Sequence, residues 1–466
     1  MPDSSPAHPL GRVAGQTLAF AARLRERWAE SPATAEAAAI GAGAALEERG
    51  VRHSKRQTAR VVLGAVVVDS DAEAAFSGLL LQLHDLVERA VDWTLADPAR
   101  LARYFPEHVR MAPWLRRTPG LRHWQGYSRY DAILDEHGRL QFIELNTGCP
   151  GSFHNASRYH GALGSALREI LGADAVRATS VGIADGLLPD LLLACEARTG
   201  DRRDLLAILN DENGLQFELA LMQEALRARG REAMIASAAD LTYSTGRLRL
   251  NGRPVSATFN KFRLSTPQSP HHCWKPGFET RYGAFLAALS DGALASINNL
   301  AALTVAEDKG LLALLHTPEF RVGLTPRNRT FIDEHVAWTA RLLADGRLDA
   351  TNPPDLTRDR ASLVIKPANE GRGYRVVIGH SSTPAEWAEA TTPDPAVPAV
   401  VQRFHSPLRL PVLALKSGAL QPADYYTTLS LAVVDGRYCG SHFRASPGHA
   451  VNEALEGATV TVVRSD

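Results

Sequence analysis

The segment between residues 127 and 152, YSRYDAILDEHGRLQFIELNTGCPGS, constrains the fold most strongly. It contains two stretches with the composition of β-strands, Tyr127–Leu134 and Leu140–Asn146, separated by a short polar turn at Asp135–Gly138. The segment is therefore predicted to form a β-hairpin. The loop that follows it is rich in Gly and Pro, and such a loop at a strand end lets the backbone approach a ligand closely.

The register of this hairpin decides which side chains share a face. Pairing Leu134 with Arg139 across the turn sets three further pairs opposite each other: Tyr127 with Asn146, Arg129 with Glu144, and Asp131 with Phe142. Because side chains alternate along a strand, all six are expected on one face. Its few oxygen ligands suit Mg²⁺ when phosphates supply the rest, and an arginine beside them can bind phosphate. The alternative is an ordinary exposed ion pair of little energetic value.

A second informative segment, SLVIKPANEGRGYRVVIG, runs from Ser362 to Gly379. It reads as a strand that ends at Lys366, a polar loop and a returning strand. Backbone N–H groups of Glu370, Gly371, Arg372 and Gly373 are placed to fold over phosphates, with the lysine reaching an oxygen. The order of residues matches neither a Walker A loop nor a dinucleotide-binding glycine motif. A plain hairpin with a glycine bend is the alternative.

The rest of the chain mixes helices and strands. Leu10 to Arg49 is predicted to be helical with a break at Ser31-Pro32, and Ala72 to Asp97 forms another helix. A βαβ-like unit is expected from Asp204 to Ala236. The part after residue 361 is rich in strands.

The charge composition excludes two classes of partner. Lys+Arg and Asp+Glu both number 51, and the net charge of zero argues against nucleic acid and membrane surfaces, which need a positive field. Lysine is rare among the basic residues, and a compact ammonium is not interchangeable with a planar guanidinium. The lysines are Lys55, Lys261, Lys275, Lys309, Lys366 and Lys416.

The sequence predicts a cytoplasmic protein. Its first residues show no basic segment followed by an apolar one, as a secretory signal would. Its longest apolar runs are far shorter than the roughly 20 residues that span a bilayer. The four cysteines are scattered, which fits reduced thiols better than disulfides or a zinc site.

Taken together, these motifs resemble those of the circularly permuted ATP-grasp ligases, such as the synthetase domain of glutathionylspermidine synthase. In that group R-x-D and E-x-N lie on a metal-binding hairpin, followed by two lysines, a nucleotide hinge and a late arginine. The order of the motifs is more specific than any one of them. The matching residues are Arg129 to Asp131, Glu144 to Asn146, Ala306 to Gly310, Lys366-Pro367, Val400 to Phe404, Phe443 to Ser446, and Asn452.

The resemblance implies an α+β protein with a circularly permuted ATP-grasp fold, an α/β substrate-side domain and a helical N-terminal region. The expected parts are the helical region 1–60, the first part of the core with the metal-binding hairpin at 61–180, and the α/β domain at 181–300. A nucleotide-covering subdomain at 301–398 and the remainder of the core at 399–466 complete the chain.

The resemblance also implies the site residues and ligands. ATP and Mg²⁺, two ions of it, would be bound. The metal ligands would be Asp131, Glu144 and Asn146; the residues that contact the transferring phosphate would be Arg129 and Arg444; the nucleotide would be held by Lys309, Lys366, Glu370, Gly371, Arg372, Gly373, Gln402 and Phe404. The candidate substrate contacts are Ser152, His154, Arg158 and Arg263.

The implied activity is a carboxylate–amine ligase that forms an amide through an acylphosphate and releases ADP and phosphate. Its substrates would be small molecules, an amino acid or a small peptide. The helical N-terminus is left with three roles: capping the core, covering the substrate, or building an oligomer such as a homodimer. Two other functions stay open, a non-catalytic nucleotide-binding protein on a degenerate fold and a small-molecule kinase. Two features depart from the family pattern. Arg403 stands in the hinge where many relatives carry a glutamate that binds ribose hydroxyls or the adenine amine. The sequence TGCPGSF after the hairpin lies where the acyl acceptor would approach, so the relatives' substrates are not carried over.

Overall fold

The computed structural model describes residues 9–54, 57–117, 120–151, 153–176, 186–199, 205–210, 216–261, 278–369, 373, 375–394, 397–451 and 457–465. The helices are α1 (Pro9–Glu30), α2 (Pro32–Glu48), α3 (Ser70–Leu95), α4 (Pro98–Tyr104), α5 (Ala112–Leu115), α6 (Phe153–Leu171), α7 (Leu187–Thr199), α8 (Gln216–Ala228), α9 (Phe278–Ser290), α10 (Gly310–Leu315), α11 (Pro318–Arg321), α12 (Pro326–His335) and α13 (Pro384–Thr391). None of these helices is long and apolar enough to cross a bilayer.

The strands, again in chain order, are β1 (Arg52–Ser54), β2 (Gln57–Thr58), β3 (Val62–Leu63), β4 (Ala65–Val68), β5 (Tyr127–Leu134), β6 (Leu140–Asn146), β7 (Leu205–Leu209), β8 (Ala233–Ala236), β9 (Leu241–Ser244), β10 (Arg247–Leu250), β11 (Arg253–Asn260), β12 (Ala295–Ile297), β13 (Thr339–Leu342), β14 (Leu363–Pro367), β15 (Val377–Ile378), β16 (Ala399–Arg403), β17 (Arg409–Lys416), β18 (Ala419–Val434), β19 (Arg437–Ser446) and β20 (Ala458–Arg464). The mixed α+β character expected from the sequence is confirmed.

The largest sheet of the described chain contains the predicted hairpin. In the described part of the chain its strands run in the order β3-β17-β18-β19-β20-β4, and β5 pairs with both β18 and β6. Tyr130 and Ala132 of β5 lie in one apolar cluster with Phe76 and Leu80 of α3. Since side chains alternate along a strand, the neighbouring residues of β5 project from the opposite face, away from α3. The candidate site lies on that opposite face.

The N-terminal helices belong to the core rather than standing apart from it. Pro32 begins α2 directly after α1 ends, which confirms the predicted break, because proline is tolerated in the first turn of a helix but not inside one. Phe20 of α1 and Leu46 of α2 are buried in one cluster with Leu163 of α6 and Leu413 of β17. The two helices therefore help to cover one side of the large sheet.

The middle of the chain is an α/β unit. Strands β8, β7, β11 and β12 are parallel neighbours, and β9 and β10 extend the sheet in antiparallel fashion. The predicted strand, helix and strand are β7, α8 and β8, with β7 and β8 parallel as a βαβ unit requires.

A smaller antiparallel sheet has the strand order β13-β16-β14-β15. It includes β16, so this sheet extends beyond the boundary predicted at residue 398. The segment that leads into β13 is hydrogen-bonded to the hairpin, since the Ala337 amide donates to the Phe142 carbonyl at 3.0 Å. The two sheets therefore meet at the hairpin that the sequence singled out.

A carboxylate on α3 holds the loop that leads into β5. Glu88 accepts hydrogen bonds from the Trp124 amide at 2.7 Å and from the backbone and side-chain amides of Gln125, both at 3.2 Å. Burial raises the pKa of Glu88 to about 7, although these three hydrogen bonds oppose the shift. Glu88 therefore changes charge near neutral pH inside the folded protein.

We expect the stability of the protein to fall as the pH rises from about 4.5 to about 7. Between these pH values the native Glu88 keeps a proton that the unfolded chain has lost. Its contribution therefore lowers the free energy of unfolding by at most about 3 kcal/mol over this range. Urea unfolding at several pH values measures the effect. In Glu88→Gln this part of the pH dependence should disappear, and an unchanged profile would contradict the assignment.

Candidate active site

The hairpin forms over the predicted residues but in a different register. Leu134 pairs with Leu140, not with Arg139, because Asp135 and Arg139 already pair to close the turn, with the Asp135 amide donating to the Arg139 carbonyl at 3.0 Å. Gly138 takes a positive φ of 78°, as expected in a three-residue hairpin loop. Five residues, 135–139, therefore separate the paired strand ends, where the sequence predicted the four residues Asp135–Gly138.

A bulge then shifts the register again and brings the polar residues together. Asp131 lies opposite Glu144 and Arg129 opposite Asn146, while Phe142 pairs with Ala132. The three predicted pairs, Tyr127 with Asn146, Arg129 with Glu144 and Asp131 with Phe142, were wrong. Phe142 and Ala132 share the apolar cluster around α3 instead. The four polar side chains still share a face, because directly opposite residues point to the same side of a sheet.

Asp131 is the centre of this face. It is 1% exposed and accepts five hydrogen bonds from described residues. The donors are Arg129 Nε and Nη2 at 3.0 and 3.2 Å, Arg444 Nη2 at 2.7 Å, Ser430 Oγ at 2.7 Å and Asn146 Nδ2 at 3.0 Å. Burial by itself raises the pKa of Asp131, but the charges of Arg129 and Arg444 outweigh it and hold the pKa well below its usual range.

Two lysines, Lys309 and Lys366, contact the hairpin. Lys309 forms an ion pair with Glu144 at 3.1 Å, and its backbone amide donates to the Ala368 carbonyl at 2.9 Å. Lys366 donates to Gln402 Oε1 at 2.7 Å and to the carbonyl of Ile143, the extra residue of the bulge, at 3.2 Å. The bulge thus presents a carbonyl oxygen to the smaller sheet.

The side chain of Lys366 is poorly solvated. Burial lowers the pKa of Lys366 to about 8, with Glu144 opposing the shift and Lys309 adding to it. Among the described residues around this point, the cations are Arg129, Lys261, Lys309, Lys366 and Arg444, and the carboxylates are Asp131, Glu144 and Glu307.

Gln402 and Phe404, predicted to flank adenine, have other neighbours. The amide of Gln402 contacts Lys366 and donates to Thr339 Oγ1 at 2.9 Å, so its side chain points inward from β16. The Phe404 ring lies 4.4 Å from the His380 ring, which follows β15 of the smaller sheet, and 5.6 Å from the His449 ring, which follows β19 of the large sheet.

Of the remaining predicted residues, only some belong to the described part of the chain. Glu370, Gly371, Arg372, Ser152, Arg263 and Asn452 lie outside the described residues. Gly373 has a positive φ of 70°, which favours glycine. His154 lies on α6, as expected. Arg158, also on α6, donates to the Arg49 carbonyl at 3.0 Å and so contacts the end of α2.

Residues missed at the sequence level support the loop after the hairpin. Asn298 accepts from the amides of Gly126 and Tyr127 at 2.8 and 2.9 Å and donates to the Thr147 carbonyl at 2.5 Å. Glu307 accepts from the Thr147 and Gly148 amides. Of these two residues, only Glu307 could have been found from the sequence, because it stands two positions before Lys309 in the same motif. No sequence pattern points to Asn298.

Asp308, next to Glu307, forms a buried pair with a histidine far away in the chain. His108 Nε2 lies 3.0 Å from the Asp308 carboxylate, and both side chains are almost fully buried. The same carboxylate accepts the Gly310 amide at 2.7 Å. The pair therefore fixes the start of α10, which directly follows Lys309.

Cys149 lies in the same loop but has no features of a reactive thiol. Burial raises its pKa to about 12, although Lys261 opposes the shift. Since the thiolate is the nucleophile, a thiol with this pKa is inert near neutral pH. Its φ of 52° is rare for a residue other than glycine, and its carbonyl accepts from Lys261 Nζ at 2.6 Å.

The comparisons with known proteins find the fold but no sequence relative. No protein-family model matches the sequence, and no curated protein matches it either. The structure is similar to that of a glutathione synthetase-like effector from Globodera pallida, solved in its apo form, with a TM-score of 0.59. The match covers 92% of this chain and 96% of that chain at 10% sequence identity. The chain therefore has a glutathione synthetase-like fold over most of its length.

Proposed function

We propose that the protein is an ATP- and Mg²⁺-dependent carboxylate–amine ligase on a circularly permuted ATP-grasp fold. The observation that carries this proposal is the convergence of four cationic side chains on one face of the hairpin. Among the described residues, Arg129 and Arg444 bind Asp131, Lys309 pairs with Glu144, and Lys366 donates to the Ile143 carbonyl. Such a concentration of positive charge attracts a polyanion such as a nucleoside triphosphate.

The chain's own groups suit the chemistry of phosphate transfer. Lys309 and Lys366 are placed to bind phosphate oxygens, and Arg129 and Arg444 to neutralise charge on the group in transfer. Phosphoryl transfer depends mainly on positioning and charge neutralisation, so no protein nucleophile is required. A carboxylate activated as an acylphosphate would then react with an amine, giving the amide, ADP and phosphate.

The donor set of the hairpin fits Mg²⁺. In the described part of the chain no cluster of three or more His, Cys, Asp or Glu is arranged to hold a metal ion. Mg²⁺ commonly takes only one or two carboxylates and fills its other positions with phosphate and water, which matches Glu144, Asn146 and Asp131. Bound there, the ion would neutralise phosphate charge. Because both oxygens of Asp131 already accept hydrogen bonds, Glu144 and Asn146 are the proposed main ligands, and Asp131 chiefly orients the two arginines.

The direct test is product analysis. Candidate acids and amines, beginning with amino acids and dipeptides, are incubated in pairs with ATP and Mg²⁺, and all phosphorus-containing products are identified. ADP and free phosphate that appear only with both substrates are the expected result. AMP and pyrophosphate would contradict the acylphosphate route, and a stable phosphorylated product without free phosphate would indicate a kinase.

Nucleotide binding should depend on the charge of Lys366. As the pH rises through about 8, the lysine loses its proton, and the affinity for a nonhydrolysable ATP analogue should fall by up to about tenfold per pH unit. Calorimetric titration across this range measures the slope. The Lys366→Arg variant keeps its charge at every pH used and should show a flatter profile. An equal slope in both proteins would contradict the role of Lys366.

A further inference from the structure

Glu307 makes an unusual set of contacts with the loop that follows the hairpin. One of its carboxylate oxygens accepts the amide of Thr147 and, at 2.6 Å, the amide of Gly148. The same oxygen lies 3.3 Å from the Thr147 hydroxyl, which also donates to the Ala302 carbonyl at 2.6 Å. Two successive backbone N–H groups that converge on one oxygen form an anion-binding nest. Here the anion in the nest is a side chain of the protein itself.

This contact is made at a sensitive point of the chain. Thr147 directly follows Asn146, so Glu307 fixes the backbone at the end of the strand that carries Glu144 and Asn146. Two residues further along, Lys309 pairs with Glu144 at 3.1 Å. The segment 307–309 therefore holds this strand at two places, once through its backbone and once through Glu144.

The loop that carries the nest is held from several sides. Gly148 lies against Glu307 and Leu303, since a Cβ atom added to it would be 3.4 Å from each and in van der Waals contact with both. Further along the loop, Lys261 holds the Cys149 carbonyl at 2.6 Å and Arg129 holds the Gly151 carbonyl at 3.0 Å. The loop is thus held from the α/β unit, from the large sheet and from Glu307.

Burial and two nearby lysines act on Glu307 in opposite directions. Burial raises the pKa of Glu307, while the two loop amides, Lys309 and Lys261 all oppose the rise. A neutral side chain of the same shape would lose the attraction to both lysines. It would keep one oxygen that can accept the amides.

We infer that Glu307 is a positioning residue, which orients Glu144 and Asn146 for Mg²⁺-dependent nucleotide binding and ties them to Lys309. The inference rests on the proposed function. Glu307 does not contact the nucleotide in this role; it acts through the backbone of Thr147 and Gly148. Groups that support metal ligands in this way change metal affinity or activity by about 10- to 100-fold when they are removed.

The test measures the affinity for a nonhydrolysable ATP analogue by calorimetry, with excess Mg²⁺ and with a chelator. In Glu307→Ala the enhancement of binding by Mg²⁺ should shrink by about 10- to 100-fold, while the chelator value should stay close to that of the wild type. Glu307→Gln, which keeps an acceptor oxygen, should recover part of the enhancement. Glu319→Gln is the matched control, since Glu319 lies nearby in the sequence and pairs with Arg103 at the surface.

The melting temperature of every variant is measured first, because a purely structural role predicts a different result. A folded Glu307→Ala or Glu307→Gln protein that keeps the full Mg²⁺ enhancement, with only a lower melting temperature, would overturn the inference. If the wild-type protein itself shows no Mg²⁺-enhanced binding, the proposed function fails together with the inference. The wild-type measurement therefore separates the two failures.

Discussion

Replacing Glu144 by Ala is expected to reduce the rate of ADP formation by more than about 100-fold. Glu144 is a proposed metal ligand, and unlike Asp131 it accepts no hydrogen bond from Arg129 or Arg444 among the described residues. Loss of a metal ligand should cost more activity than loss of a group that only supports one. The change also removes the ion-pair partner of Lys309 at 3.1 Å. The rate is measured with the substrate pair that the product screen identifies.

Two further variants make this result specific. Glu144→Gln keeps the shape but not the charge, and should also be strongly impaired. Glu136→Ala removes a carboxylate from the exposed turn of the same hairpin and should leave the rate unchanged. Wild-type turnover in Glu144→Ala would remove the metal site from the proposal.

Replacing Asp131 by Ala is expected to lower the free energy of unfolding by about 3–5 kcal/mol. The substitution leaves Arg129 and Arg444, 8% and 9% exposed, without their shared carboxylate, and removal of one partner from a buried ion pair costs about this much. Urea unfolding followed by circular dichroism measures this loss.

Lower pH should have a related effect on the wild-type protein. The depressed pKa of Asp131 gives stability above about pH 4 that is lost as the pH falls.

The control for the Asp131→Ala prediction is Asp424→Ala. Asp424 also pairs with two arginines, Arg25 and Arg409, but in side-chain ion pairs that are exposed to solvent. Surface pairs contribute about 0–1 kcal/mol, so this change should be nearly neutral. Equal losses in the two variants would show that burial does not set the energy of the Asp131 contacts.

The electrostatics of the site connect these two predictions. Asp131 carries one negative charge against the two positive charges of Arg129 and Arg444, and Glu144 is the hairpin carboxylate that pairs with Lys309. Under the proposed function, an anionic nucleotide binds among these cations. Ligand binding should raise the unfolding midpoint by mass action, so thermal shift with nucleotide is a rapid first experiment.

Local features were predicted well from the sequence. Strands β5 and β6 have the predicted bounds, and α1 ends where Ser31-Pro32 predicted a break. The strand ending near Lys366 and the βαβ unit around α8 were also predicted. These features depend on alternation, on proline and on helical periodicity, which act over a few residues.

The pairing of the hairpin was the first point at which local patterns failed. The extra residue at Ile143 is a bulge, and nothing in the alternation of side chains marks it, since the strand on either side of it reads normally. The bulge is nevertheless what places Asp131 beside Glu144 and turns the Ile143 carbonyl toward Lys366.

The sequence by itself determined the elements, their order and the residue types available for phosphate and metal chemistry. Only the tertiary structure decided which of them meet. Arg444 reaches Asp131 across 313 positions, and Glu307 reaches Thr147 across 160. Such contacts depend on how whole sheets pack and close, which no short-range pattern encodes. The scarce lysines indicated where to look, and the packing of two sheets against one bulged hairpin brought Lys309 and Lys366 together.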